Sequence, residues 1–264
     1  MLDTLTRTDA STLRSPAVEA APRFDVRWAR HQDEVRESQR LRWSVFVDEM
    51  GARPAVTPGA PAFHDVDRFD AWCEHLMVRV VGGPQSGLLA GTYRVLTPEA
   101  ALRAGGLYSE TEFDLAPVRS LCTRAVELGR SCVHPDWRSG GTIMALWGAL
   151  GEFMQRNHLD TMIGCASIGM NDGGHVAASL WRKLRATHLV APQWQVRPHL
   201  ALPVEGLRDD LEVDTPALIK GYLRCGAKVL GAPAWDPHFN TADLPMMMRM
   251  DELPMRYRRH FLEG

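Results

Sequence analysis

A strand pattern that stops at a proline turn and resumes, through two glycines, as an amphipathic helix constrains this chain more than any other segment. From Ala125 to Val133, β-branched and small apolar residues enclose a Glu and an Arg, and the run ends at His134-Pro135-Asp136, where a strand must stop. From Thr142 to Phe153 the apolar residues Ile143, Leu146, Trp147, Leu150 and Phe153 recur at three- and four-residue steps, so one face of a helix is apolar. Between them, Arg138-Ser139-Gly140-Gly141 can turn tightly because glycine accepts backbone angles that other residues avoid. The same turn leaves the first N–H groups of the helix open to an anion.

The flanking sequence alternates strand and helix patterns, which predicts an α/β fold with a mixed central sheet flanked by helices. Residues 1–22 lack periodicity and predict a disordered tail; residues 23–264 are read as one domain with a C-terminal extension from about residue 192. Expected strands are Phe24 to Trp28, His75 to Val81, Leu88 to Leu96, Thr161 to Ala166 and Trp194 to Leu202, with a short one near Lys228 to Leu230. Expected helices are Gln32 to Met50, Pro98 to Arg103, His175 to Leu184 and Thr215 to Cys225. A long loop after Gly51 carries the acidic run His64-Asp65-Val66-Asp67-Arg68-Phe69-Asp70.

With 264 residues, 45% of them hydrophobic, the chain can bury a full core, and its net charge of −2 argues against a nucleic-acid binder. Five cysteines without C-x-x-C spacing read as reduced thiols of a cytoplasmic protein. There is no span-length apolar run and no secretory leader, so membrane contact would be peripheral, at the inner face of a bacterial membrane. The ten histidines show no metal-ligand spacing, and no metal is expected.

Arg138 and Gly141 fit the pattern R/Q-x-x-G-x-G/A, whose last position is Ile143 here. The strand, turn and helix resemble the acyl-donor motif of the GNAT acyltransferase superfamily and imply its acyl-CoA N-acyltransferase-like fold. In relatives that use acyl-CoA, the small last residue lets the backbone approach a pyrophosphate. Ile143 therefore leans toward acyl carrier protein, whose pantetheine arm carries a single phosphodiester. Arg42 with Phe46, Asp67 with Asp70, Arg94, and Glu127 with Arg130 follow one another as R-x-x-x-F, D-x-x-D, Arg and E-x-x-R. That series resembles the autoinducer synthases. The runs DVDRFDAWCEHLMV, GTYRVL, YSETEFDL, ELGRSCVHPDWRSG and FNTADL are similar to the ornithine lipid-forming N-acyltransferases, also called hemolysin-like acyltransferases. The resemblance implies transfer of a 3-hydroxyacyl chain from acyl carrier protein to the α-amino group of L-ornithine, giving lyso-ornithine lipid, with no cofactor beyond the carrier's arm. Rival readings are another amine acceptor, an acyl-homoserine lactone synthase, and a non-catalytic membrane-associated protein.

Within that chemistry Glu127 is the candidate base, since an attacking amine must lose a proton; the alternative is a structural ion pair with Arg42 or Arg94. Arg94 and Arg130 complete the expected catalytic set. On a strand, Glu127 and Arg130 point to opposite faces and meet only if a bulge intervenes. Arg42, Phe46, Asp67, Asp70 and Phe113 are expected to bind substrate, the two aspartates through the ammonium of the ornithine side chain. Donor binding falls to Ser131, Cys132 and Val133, whose backbone would meet the oxyanion, and to Arg138, Ser139, Gly140, Gly141 and Thr142. No nucleophilic triad surrounds Ser131 or Cys132, so direct transfer is expected. Arg138, Arg156, Arg182, Lys183 and Arg185, with Arg256, Arg258 and Arg259 as a second group, are candidates for docking the acidic carrier. The methionine-rich stretch from Leu244 to Phe261 reads as a core strand and a surface helix, with an acyl tunnel or lipid contact as the alternative.

Overall fold

The computed structural model describes residues 23–138 and 140–262, with side chains to residue 258; the expected tail and Ser139 lie outside the described residues. One mixed sheet organises the chain. It contains β1 (Arg23–Trp28), β2 (Glu74–Val81), β3 (Leu89–Leu96), β5 (Ala125–Val133), β6 (Thr161–Gly169), β8 (Lys228–Val229), β9 (Ala234–Asp236) and β10 (Thr241–Arg249). The order is β1-β2-β3-β5-β6-β10-β8, with β9 also on β10. Two further pieces, β4 (Phe113–Asp114) and β7 (Arg197–Pro198), pair with each other. The helices are α1 (Gln32–Trp43), α2 (Pro98–Ala104), α3 (Arg119–Cys122), α4 (Gly141–Arg156), α5 (His175–Thr187), α6 (Ala217–Arg224) and α7 (Met255–Leu262).

Local chemistry accounts for most of these limits. Every residue of β3 is buried, as an apolar run paired on both edges requires. Asp33 and Glu34 begin α1 and Arg40 and Arg42 end it, matching the helix dipole. The helix expected to Met50 continues from Ser44 to Glu49 as a π-helical segment. The strand expected over 194–202 is a 3-10 turn at Pro192–Trp194 followed by the two-residue β7, because Pro192, Pro198 and Pro203 supply no ladder N–H. The stretch after Leu244 is a core strand, β10, and then the helix α7.

The feature that shapes the site is a fork. β5 and β6 run parallel and pair at Ala125↔Thr161, Val126↔Met162 and Glu127↔Ile163, after which their ladder stops although both strands continue. On its other edge β5 pairs Gly129 with Arg94 and Cys132 with Thr92, so Arg130 and Ser131 together oppose Tyr93 in a bulge. A bulge bends its strand and increases its twist, which carries β5 away from β6. Arg130 sits at φ 52, a left-handed backbone that costs a non-glycine residue on the order of 1–3 kcal/mol. At the base of the fork a Cβ on Gly164 would lie 2.3 Å from the Leu128 carbonyl oxygen. Only glycine lets the strands approach there.

Helix α4 covers one face of this region, packing Leu146, Leu150 and Met154 against Val78, Val95 and Val126. On the opposite face, Phe69, Leu96, Leu107, Phe113 and Leu115 form a second core with Ile163 and Met247. We expect Gly164→Ala to push β5 and β6 apart and lower stability by about 1–3 kcal/mol, read from the urea midpoint; an unchanged midpoint would show that the close approach is not required.

Candidate active site

Three guanidiniums and three carboxylates meet beside the bulge. Arg42 comes from α1, Arg94 from β3 and Arg130 from β5, while the acidic loop brings Asp65, Asp67 and Asp70. Arg42 Nη2 donates to both Asp70 oxygens at 2.8 and 2.9 Å, and its Nε lies 2.8 Å from Asp65 Oδ2. Arg94 Nη1 donates to Asp67 Oδ1 at 2.7 Å, and Arg130 reaches Asp65 and Asp67, each at 3.2 Å. Arg42, Arg94, Asp65 and Asp70 are buried, where unpaired charge would be strongly destabilising. Burial pushes the Asp67 and Asp70 carboxyls up, but Arg94 with Arg130 at Asp67, and Arg42 with Arg94 at Asp70, outweigh it and hold both below the usual range.

This geometry alters the sequence expectation for the loop. Asp67 and Asp70 spend their charge on arginines of the protein, so they lock the loop rather than await an ammonium ion. Asp65, which sequence reasoning passed over, completes the set. Phe46 packs edge-on against Phe239, with ring centroids 6.0 Å apart. The Arg130 guanidinium stacks 4.6 Å from the Phe239 ring and 5.0 Å from the Tyr108 ring. Phe113 is 1% exposed and packs in the core, not on the open surface of the site.

Glu127 is also committed. Its Oε2 accepts from the Tyr108 N–H at 2.5 Å, and its Oε1 accepts from the Ser109 N–H at 2.6 Å and the Ser109 hydroxyl at 2.5 Å. These bonds go to the 3-10 turn Tyr108–Thr111 and not to Arg42 or Arg94. Burial pushes the Glu127 carboxyl up, against the three bonds that favour its charged form. Three donors leave a carboxylate little capacity to take a proton from a substrate. Arg130 points to Asp65 and Asp67, so the bulge does not bring it onto Glu127.

A different group of acids is under-compensated. Glu112, Asp236 and Asp243 interact with one another, and Arg130 is the cation that most offsets Glu112 and Asp243. Burial, then the charges of Asp243 and Asp236, pushes the Glu112 carboxyl up to about 7. Burial likewise raises Asp243 to about 6, although Ser167 and Thr241 hydrogen-bond it. Both Glu112 and Asp243 lie in sequence runs that carried the family resemblance without receiving a role, which was the signal available for finding them.

The residues expected to bind the donor lie on β5 and at the start of α4. A bulge leaves its extra residue out of the ladder, so the Arg130-Ser131 backbone stands at the fork. Cys132 and Val133 return to the β3 ladder, and burial pushes the Cys132 thiol up to about 12. Gly140, at φ 97, begins α4 without a side-chain cap, leaving its first N–H groups for an anion. Gly141 packs under the Phe24 ring, while Thr142 is fully buried and donates to the Trp137 carbonyl at 3.0 Å. Arg138 is half-exposed and forms two bonds to Glu49 at 2.6 and 2.7 Å, a surface pair worth at most about 1 kcal/mol that a phosphate can displace. We expect Glu127→Gln, which presents an NH₂ group to one of the three donors, to destabilise the fold by about 1–3 kcal/mol, read from the urea midpoint. A loss of activity at unchanged stability would instead return Glu127 to the role of base.

Residues 41–148 match the Acetyltransferase (GNAT) domain family. The chain superposes with TM-score 0.53 and 13% identity on an N-acyl amino acid synthase from uncultured soil microbes, over 92% of this chain and 97% of that one, a likeness of fold. It is 35% identical to the L-ornithine N(alpha)-acyltransferase of Agrobacterium fabrum (strain C58 / ATCC 33970) over 90% of this chain and 85% of that protein. It is 34% identical to the enzyme of the same name from Brucella abortus (strain 2308), over 90% of this chain and 88% of that one. Identity sustained over nearly the whole folded chain settles its kinship: the protein belongs to the family of L-ornithine N(alpha)-acyltransferases.

Proposed function

We propose that the protein moves a 3-hydroxyacyl chain from the phosphopantetheine of acyl carrier protein to the α-amino group of L-ornithine, forming lyso-ornithine lipid. The observation that supports this most strongly is the fork, with a bulged backbone on its edge, apolar cavities on one face and under-compensated acids near the bulge. The pantetheine arm lies in the fork, its phosphodiester at the uncapped start of α4. The thioester carbonyl faces the Ser131 N–H. As the amine lone pair forms the new C–N bond, that N–H receives the oxyanion. Collapse breaks the C–S bond, the pantetheine sulfur leaves as thiolate, and the proton lost from the amine returns to it as thiol. The pair Glu112 and Asp243 favours a dicationic amino acid, because an ammonium ion supplies the charge that Arg130 alone leaves short. Glu112, pushed up to about 7, suits the role of base at neutral pH better than the thrice-bonded Glu127.

Carrier docking falls to exposed cations. Lys183 and Arg185 on α5 and Arg156 at the end of α4 are solvent-exposed, whereas Arg182 pairs with Asp209 and Arg258 donates to the Met250 and Asp251 carbonyls. Arg256 lies 4.6 Å from the Tyr257 ring, and the Arg259 side chain falls outside the described residues. No described helix is long and apolar enough to cross a membrane.

Incubation with 3-hydroxyacyl carrier protein and a panel of amino acids should release free thiol fastest with ornithine; equal rates with a neutral amino acid would remove ornithine as the acceptor. For the wild type, kcat/KM should rise with pH through about 7 as Glu112 loses its proton. Glu112→Gln should lower the rate about a hundredfold or more and abolish that limb. A variant that keeps both would exclude Glu112 as base.

A further inference from the structure

An apolar cavity beside the fork contains a cluster of hydroxyl groups that a plain hydrocarbon chain does not need. Its walls include Leu128, Met162, Met246 and Met248, together with Tyr93 and Tyr222. The two phenol oxygens hydrogen-bond each other, and the Ser131 side chain lies beside both. An adjoining cavity shares Leu128, Met162, Tyr222 and Met248 and extends the apolar surface toward Leu253. Hydroxyls set among methionines and leucines are costly unless paired, and a phenylalanine at either tyrosine would keep the ring packing without that cost.

Both tyrosines are held in place. Tyr93 is 3% exposed and stands opposite the Arg130-Ser131 bulge. Tyr222 lies on α6 and stacks on Trp147 of α4, with ring centroids 5.5 Å apart. A Cβ on the preceding residue, Gly221, would come within 2.4 Å of the Trp147 ring, so glycine is what allows the two helices this approach. Burial pushes the Tyr93 phenol up to about 12 and also raises Tyr222, so both keep their protons near neutral pH.

Building on the reading that the thioester carbonyl meets the Ser131 N–H, we propose that Tyr93, Tyr222 and the Ser131 hydroxyl determine acyl specificity by recognising a hydroxyl on the third carbon of the chain. The third carbon is two C–C bonds, about 2.5 Å, from the carbonyl carbon. Ser131 therefore places its backbone at the reacting group and its side chain beside that carbon. The bonded phenols use one donor between them and keep spare lone pairs, so a further hydroxyl can donate to the cluster without displacing that bond. A chain without the hydroxyl gains nothing there.

The test compares kcat/KM for carrier protein loaded with a 3-hydroxyacyl chain and with the unsubstituted chain of equal length, ornithine being the acceptor. The wild type should prefer the hydroxylated chain, and Tyr222→Phe and Tyr93→Phe should each cut that preference about tenfold. A preference unchanged in both variants would overturn the proposal, as would a wild type that reacts equally with both chains. Equal losses on both chains would overturn it as well, pointing to a phenol that protonates the leaving thiolate or only packs. A wild type that releases no thiol from either donor would refute the acyl-transfer reading itself, a failure distinct from loss of preference.

Discussion

The bulge at Arg130 is the constraint on which the site depends. Where β5 would otherwise keep pairing with β6, a residue in left-handed backbone turns the strand away and opens the fork. Such a conformation persists only where its surroundings over-determine it. Here the Arg130 side chain is held by Asp65 and Asp67 and lies against Tyr108 and Phe239, so the charge network and the strained backbone support each other. Arg42 and Arg94 tie the same loop to α1 and β3, which makes the loop part of the scaffold rather than a lid.

Charge is divided in a way that separates structure from chemistry. The pairing of Asp65, Asp67 and Asp70 with three arginines is balanced, and buried balanced pairs serve geometry more than stability. Glu127 is likewise spent, holding the Tyr108–Thr111 turn against the sheet. What remains short of positive charge is the pair Glu112 and Asp243, whose carboxyls burial and neighbouring acids raise. The apolar face of the fork carries the opposite logic, since its cavities are lined largely by leucine and methionine and hold one knot of hydroxyls.

Much of this was legible before the structure. The limits of β5 and the course of α4 followed from periodicity and from the proline and glycine turn, because local patterning decides elements that pack one face against a sheet. The residues that gather at the site were also visible as charged positions inside apolar strands. Their roles were not. Whether Asp70 faces a ligand or an arginine depends on where a loop folds over the sheet, and no spacing rule encodes that. Glu127 shows the same gap, since its partners are backbone N–H groups 18 and 19 residues earlier in the chain. The strand expected over 194–202 shrinks to Arg197–Pro198, since Pro198 has no N–H to carry the ladder on.

A thioester lying across the fork is tested directly by a structure with a non-reactive pantetheine analogue bearing a 3-hydroxyacyl amide. The carbonyl oxygen should sit about 3 Å from the Ser131 nitrogen, with the chain entering the cavity past Tyr93 and Tyr222. A carbonyl far from the bulge, with β5 and β6 closed against each other and the chain on another surface, would contradict it.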